Sequence, residues 1–168
     1  MEYFFYRNIG VDSTFTMPEG VTIVKCFPHR KVKGMDRFSF SIKKHLSLAL
    51  QTLVMGGRNS KYVEYDLVKY GVIVSRALLI SRIPRYAFLP PKGVHLCCCE
   101  TLPSERGKGY QCFIQKYIVA DNPGMDLHLI VRADNVASIR CMEKAGFTRY
   151  AVGYRNRKGI VEIKEYIK

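Results

Sequence analysis

The chain has 168 residues, 48% of them hydrophobic, with 27 Lys and Arg against 14 Asp and Glu and a formal net charge of +13. That is enough apolar material for one domain with its own core and too much for a disordered chain, while no apolar run reaches the ~18 residues of a membrane span. The N-terminal run Met1-Glu2-Tyr3-Phe4-Phe5-Tyr6-Arg7 has neither the basic start nor the long apolar centre of a signal peptide, so the chain reads as cytoplasmic.

Residues 1–20 carry no clear element, and Asp12–Gly20 reads as a loop. Val21–Cys26 reads as the first strand. Phe38–Leu53 has helical spacing: Phe38, Ile42, Leu46, Ala49, Leu50 and Leu53 fall on one side, and Lys43, Lys44 and Gln51 on the other. Met55-Gly56-Gly57-Arg58-Asn59 ends that helix. Tyr62–Val68 and Val72–Ile80 read as two strands joined around Tyr70-Gly71. Pro90-Pro91-Lys92-Gly93 turns the chain into an apolar strand, Val94-His95-Leu96-Cys97-Cys98-Cys99.

The most specific stretch comes after that strand. Pro103-Ser104-Glu105-Arg106-Gly107-Lys108-Gly109-Tyr110-Gln111 leads into a helix whose apolar face is Tyr110, Phe113, Ile114, Tyr117 and Ile118. Strand, basic glycine loop, helix is an arrangement that binds anions. The first amides of a helix have no internal acceptor, the helix dipole is positive there, and glycine lets backbone approach a ligand closely. A phosphate or pyrophosphate is the expected guest. The loop is not a nucleotide-triphosphatase loop, because Lys108 is followed by Gly109 and Tyr110 rather than by Ser or Thr. It also lacks the third glycine of the dinucleotide fingerprint.

A second strand-like run, Leu127–Val131, leads to Asp134-Asn135-Val136-Ala137-Ser138-Ile139-Arg140-Cys141-Met142-Glu143-Lys144-Ala145-Gly146-Phe147. Asp134 or Asn135 caps this helix, Val136, Ile139 and Met142 supply its buried side, and Gly146 suits the position just past its end. Thr148–Tyr154 and Ile160–Ile167 form a closing pair around Asn156-Arg157-Lys158-Gly159. The pattern predicts an α/β fold, a central mixed sheet with helices on both faces.

Taken together, 103–111 and 135–147 resemble the two signature motifs of the GNAT superfamily of acyl-CoA N-acyltransferases. Arg106 and Gly109 stand at the first and fourth positions of that family's pyrophosphate loop, and Asn135 through Phe147 resembles its Asn-x-x-Ser/Ala … Glu-Lys-x-Gly-Phe helix. The likeness covers a motif-bearing core of about 94–154 and implies a single GNAT-like domain over 1–168, with the sheet splayed beside the cysteine strand. It implies acetyl-CoA or coenzyme A as co-substrate. Arg106, Gly107, Lys108, Gly109, Tyr110 and Gln111 would then lie around the pyrophosphate, Cys99 and Thr101 would offer backbone groups to the pantetheine arm, and Asn135 would lie near that arm. Glu100 is the candidate base, at the strand end where the sheet would open. Ser138 or Cys141, and also Tyr110 or Tyr154, would protonate the departing thiolate. Two positions depart from the family. Gln111 replaces the usual Gly or Ala, and either crowds the pyrophosphate or hydrogen-bonds to it. Met142 stands where many members carry a proton-donating tyrosine, and Met has no proton to give.

The implied activity is transfer of an acetyl group from acetyl-CoA to a primary amine, a small molecule or a protein N-terminus or lysine, by direct attack in a ternary complex. The alternatives are a catalytically degenerate CoA- or anion-binding domain and a basic nucleic-acid module. The charge permits the last, but no nucleic-acid motif supports it. The net positive charge argues against a polycationic acceptor held by broad electrostatics. No membrane partner is expected, and a homodimer remains open. Cys26, Cys97, Cys98, Cys99, Cys112 and Cys141 contain no Cys-x-x-Cys pair, so they read as small buried residues in a reducing compartment, with no metal. In a regular strand Cys97 and Cys99 share one face and Cys98 the other. His95 and His128, inside strands, read as structural histidines.

Overall fold

A computed structural model describes residues 1–9, 16–26, 61–83 and 86–167, together with positions 47, 49–51 and 54. Among the described residues the chain forms one eight-stranded sheet with two motif-bearing helices against it. In chain order these are β1 (Glu2–Asn8), β2 (Val21–Cys26), β3 (Tyr62–Lys69), β4 (Val72–Ser81), β5 (Val94–Thr101), α1 (Tyr110–Asp121), β6 (Leu127–Arg132), α2 (Val136–Lys144), β7 (Thr148–Arg155) and β8 (Val161–Tyr166). The spatial order is β2-β3-β4-β5-β6-β1-β7-β8, and every pairing is antiparallel except β5 with β6.

The predicted strands and both motif-bearing helices are present with ends shifted by a residue or two. The unassigned N-terminal stretch is the exception. Residues 2–8 form β1, inserted between β6 and β7, with Tyr3 opposite Arg132 on one side and Gly153 on the other. Its aromatic residues suit a pleated surface. Tyr6 joins the large core under the helices and Phe5 a second cluster with Ala151 and Val161, both fully buried.

The helix predicted over Phe38–Leu53 lies mostly outside the described residues, as does the turn 55–59. Of its described residues, Ala49 is buried against Tyr62, Leu78 and Ile80, whereas Leu50 is 64% exposed. Leu50 is therefore not part of the buried face expected for it. Neighbouring helical positions point about 100° apart, and Ala49 takes the inward direction.

α1 and α2 lie on the same face of the sheet. Ile114, Ile118 and Val119 of α1, and Met142, Ala145 and Phe147 at and beyond α2, join Leu67, Leu79, Leu96, Leu129 and Val131 of the sheet in one core. Each such Leu or Ile removed from water contributes roughly 1.5–3 kcal/mol. On α2 the predicted inward residue Val136 is instead 53% exposed, while Met142 is buried. Val136 opens the first turn, before the helix has closed on the sheet.

Between β1 and the edge strand β8, Gly153 of β7 is packed where no side chain fits. A Cβ there would lie 2.0 Å from the Glu162 carbonyl oxygen and 2.7 Å from Phe5.

Candidate active site

β5 and β6 pair only at Val94↔Leu127 and His95↔His128. Beyond those two pairs the strands separate, and the C-terminal half of β5 faces a gap. A cleft of about 570 Å³ opens there, lined by the end of β5, residues 105–107 and 109–112, and α2.

β5 carries a bulge at this point. Cys98 and Cys99 together oppose Ala77 of β4, and Cys98 takes a left-handed φ of +53°. A bulge places two residues against one and re-aims the strand beyond it. The expected alternation of the three cysteines is thereby broken. Cys97 and Cys98 both pack with Tyr62, Leu78 and Ile80, with their sulfurs 3.7 Å apart, and Cys99 faces the core under α1. Cys97 and Cys99 do not share a face. The bulge also brings Cys99, Glu100 and Thr101 to the cleft wall.

The glycine loop is built as an anion cradle. Gly107 and Gly109 have φ of +79° and +80°, and a Cβ at either would meet nothing within 4 Å. Gly109 is the N-cap of α1, and no side chain caps the helix. Phe113 is the first residue whose N–H finds an acceptor inside the helix, at 3.0 Å from the Gly109 carbonyl. The amides of Tyr110, Gln111 and Cys112 precede it, and all three residues line the cleft.

Gln111 does not fill this space. Its Oε1 accepts from Ser75 Oγ at 2.9 Å and Thr101 Oγ1 at 3.4 Å, pulling the side chain under the loop. Its Nε2 is buried without a hydrogen-bond partner. Ser75 also lies 2.7 Å from Thr101 Oγ1, so one polar knot fastens β4, the end of β5 and the start of α1. Sequence reasoning missed Ser75, because nothing local marks a buried serine as the far partner of a loop.

Arg106 lines the cleft and donates from Nε to the Thr101 carbonyl at 3.3 Å. Lys108 turns away from it to Glu105, at 2.9 Å, which holds the Glu105 carboxyl below its usual range. The sequence also did not single out Arg140 and Lys144, one turn apart on α2, which join Arg106 as cationic lining. Helical i, i+4 spacing was the signal available for them.

Asn135 is the N-cap of α2. Its Oδ1 accepts from the Ser138 N–H at 3.2 Å, and Asn135, Ser138 and Cys141 all line the cleft. Asp134, the other candidate cap, instead accepts from Arg132 Nε at 3.0 Å. Met142 is buried in the core and does not reach the cleft. Tyr154 donates to Glu162 at 3.0 Å, away from the cleft, whereas Tyr110 lines it.

Glu100 stands opposite Arg76 in the β4–β5 register, on the face away from α1. Behind it lies a buried charged strip. Arg76 pairs with Glu64 and lies 3.5 Å from Asp66. Glu64 is the nearer carboxylate and takes the guanidinium. Burial then pushes Asp66 up to about 7, against a hydrogen bond from Cys26 that lowers it. Burial likewise lowers Arg76 from its ordinary value, with Glu100 opposing that shift.

His95 and His128 sit at the closed end of the gap as bonded structural residues. His95 Nδ1 is 3.1 Å from the His128 carbonyl, and burial pushes His95 down to about 4. His128 lies 3.2 Å from the Tyr150 hydroxyl and 3.0 Å from Asp126. Among the described residues no His, Cys, Asp and Glu cluster could hold a metal ion.

No family model matches the sequence, and no curated protein matches it. Solved structures match its fold. A GCN5-related N-acetyltransferase from Sphaerobacter thermophilus superposes with a TM-score of 0.61 at 14% identity, over 90% of this chain and 49% of that one. A tandem GNAT protein from the clavulanic acid biosynthesis pathway superposes with a TM-score of 0.58 at 13% identity, over 89% and 50%. An aminoglycoside acetyltransferase in complex with coenzyme A and kanamycin gives 0.55 at 14%, over 85% and 92%. The chain spans about half the length of the first two and most of the third. It has the fold of the GNAT acetyltransferases.

Proposed function

We propose that this chain is an acyl-CoA-dependent N-acyltransferase that moves an acetyl group from acetyl-CoA to a primary amine within a ternary complex. One observation carries the reading: an uncapped helix N-terminus, entered through two left-handed glycines, opens on a cleft where a GNAT-fold sheet splays apart. The cleft suits the co-substrate. It offers backbone donors for a pyrophosphate, open space at both glycines, three cationic side chains, and a free strand edge for an amide-bearing arm.

Position assigns the roles. Amides of residues 107–111 hold the pyrophosphate, and Arg106 adds charge. The buried Nε2 of Gln111 is a further donor beneath them. Backbone groups of Cys99 and Thr101 run beside the pantetheine arm, with Asn135 across from them. Thr101 N–H polarises the thioester carbonyl. Glu100, at the strand end, accepts the proton of the acceptor amine, directly or through water. The neutral amine attacks the thioester carbon, the C–S bond breaks, the nitrogen gives up its remaining extra proton to solvent, and Ser138 passes its hydroxyl proton to the thiolate while taking one back from water. Much of the acceleration comes from holding the reactants together.

Thermal shift with acetyl-CoA and with CoA tests binding, and thiol release in an amine panel tests chemistry. Stabilisation by both ligands and release of CoA with at least one amine are expected. Glu100→Gln should lower kcat by about 10²-fold or more with little change in the thermal shift. Absence of stabilisation at millimolar ligand ends the reading. Met142, buried where the family carries a proton donor, favours a second reading: a domain that binds CoA without catalysis. Stabilisation without thiol release from any amine would select it.

A further inference from the structure

Two thiols line the same cleft. Cys112 is the third residue of α1, Cys141 lies on α2, and both line the cleft. The two helices pack together and bring the two thiols within reach of one another. They are not equivalent. The Cys112 thiol is held below its ordinary value, chiefly by the hydrogen bond from Cys141 and further by Lys116 and Lys144, against burial. The Cys141 thiol is raised by that same bond and by burial. A helix N-terminus favours a thiolate as well. Cys112 is thus the more acidic of the two thiols. The other cysteines differ: Cys26 and Cys97 are buried, Cys98 lies with Cys97 on the opposite face, and burial pushes the Cys99 thiol up.

We propose that Cys112 and Cys141 are a site of oxidative modification, at which hydrogen peroxide converts the dithiol to a disulfide that staples α1 to α2 across the mouth of the cleft. The Cys112 thiolate attacks one peroxide oxygen. The S–O bond forms, the O–O bond breaks, and the departing hydroxide takes a proton to become water. The sulfur of Cys141 then attacks the Cys112 sulfenic acid and gives up its proton. The S–S bond forms, the S–O bond breaks, and hydroxide and proton leave as a second water. Two sulfurs are oxidised and two peroxide oxygens reduced. The staple locks together the two helices that line the cleft, so the oxidised protein binds CoA poorly. That last consequence rests on the function proposed above; the disulfide itself does not.

The full chain, reduced and then exposed to hydrogen peroxide, is alkylated and mapped by mass spectrometry without reduction. The expected result is a peptide cross-linked between Cys112 and Cys141, reversed by dithiothreitol. Cys112→Ser should abolish it, and Cys141→Ser should leave Cys112 as a sulfenic acid that dimedone traps. A cross-link confined to Cys97 and Cys98, or peroxide uptake with no 112–141 link, overturns the site. CoA affinity is measured on both forms, and oxidation should weaken it by about tenfold or more. Equal affinity overturns the closing of the cleft. If the reduced protein fails to bind CoA while the cross-link still forms, the function falls and the thiol site stands.

Discussion

Two carboxylates share one guanidinium behind Glu100, and the share is unequal. Arg76 satisfies Glu64, and burial leaves Asp66 protonated to about pH 7. An unfolded aspartate has a pKa near ~3.9. Between these values the folded state holds a proton that the unfolded chain releases, so this residue's contribution is intact below about pH 4 and is lost as pH rises through about 7. Asp66→Asn should remove that slope and raise stability at pH 8 by up to ~4 kcal/mol, given ~1.4 kcal/mol per pKa unit. Urea unfolding of both proteins at pH 4 and pH 8 checks it, and an unchanged difference between the two pH values would count against a protonated Asp66. None of this was readable in the sequence, where Glu64, Asp66 and Arg76 are ordinary strand residues. Their meeting depends on the register of three strands. Arg106, Gly107, Gly109, Tyr110, Asn135 and Ser138, by contrast, were legible as cleft residues. A glycine turn and a helix cap are local devices whose chemistry is written in a few adjacent positions.

α1 begins on a left-handed glycine, and that single conformation aims its first amides at the cleft. Gly109→Ala has room for its methyl, so its cost is conformational: about 1–2 kcal/mol for a non-glycine residue in that region. The expected outcome is a modest fall in melting temperature with a larger loss of CoA affinity, read by calorimetric titration. A variant that binds CoA as tightly as the parent would detach the helix start from cofactor binding. The two motif-bearing helices were legible as elements because helical periodicity repeats within a dozen residues. The bulge in β5 was not. Three consecutive cysteines carry no mark of a residue at φ +53°, and only pairing with β4 reveals that two of them oppose Ala77. The same limit hid Leu50 and Val136, whose exposure depends on where a helix meets the sheet rather than on its own pattern.

At the scale of the whole molecule, β1 holds the two halves of the sheet together. It was missed because a short aromatic run with no flanking turn signal looks like a strand only once its neighbours exist. Phe5 is fully buried between Phe88 and Tyr150, with ring centroids 5.0 Å and 6.3 Å away. Phe5→Ala should cost about 3–5 kcal/mol, measured by chemical unfolding, with the cleft-lining residues untouched. A cost below ~1 kcal/mol would mean that this strand is not the keystone described. Gly153→Ala should be at least as damaging, since its methyl would collide with backbone 2.0 Å away, which no side-chain movement relieves.

The central position of β1 governs the order of assembly. Its partners, β6 and β7, lie at the opposite end of the chain, so a stretch near residue 1 cannot find its slot until residues 127–155 have emerged and begun to pair. Contacts so distant in sequence slow folding. Until that slot is filled, β6 and β7 each show a bare edge to solvent, and a nascent or heat-stressed chain is at its most adhesive there.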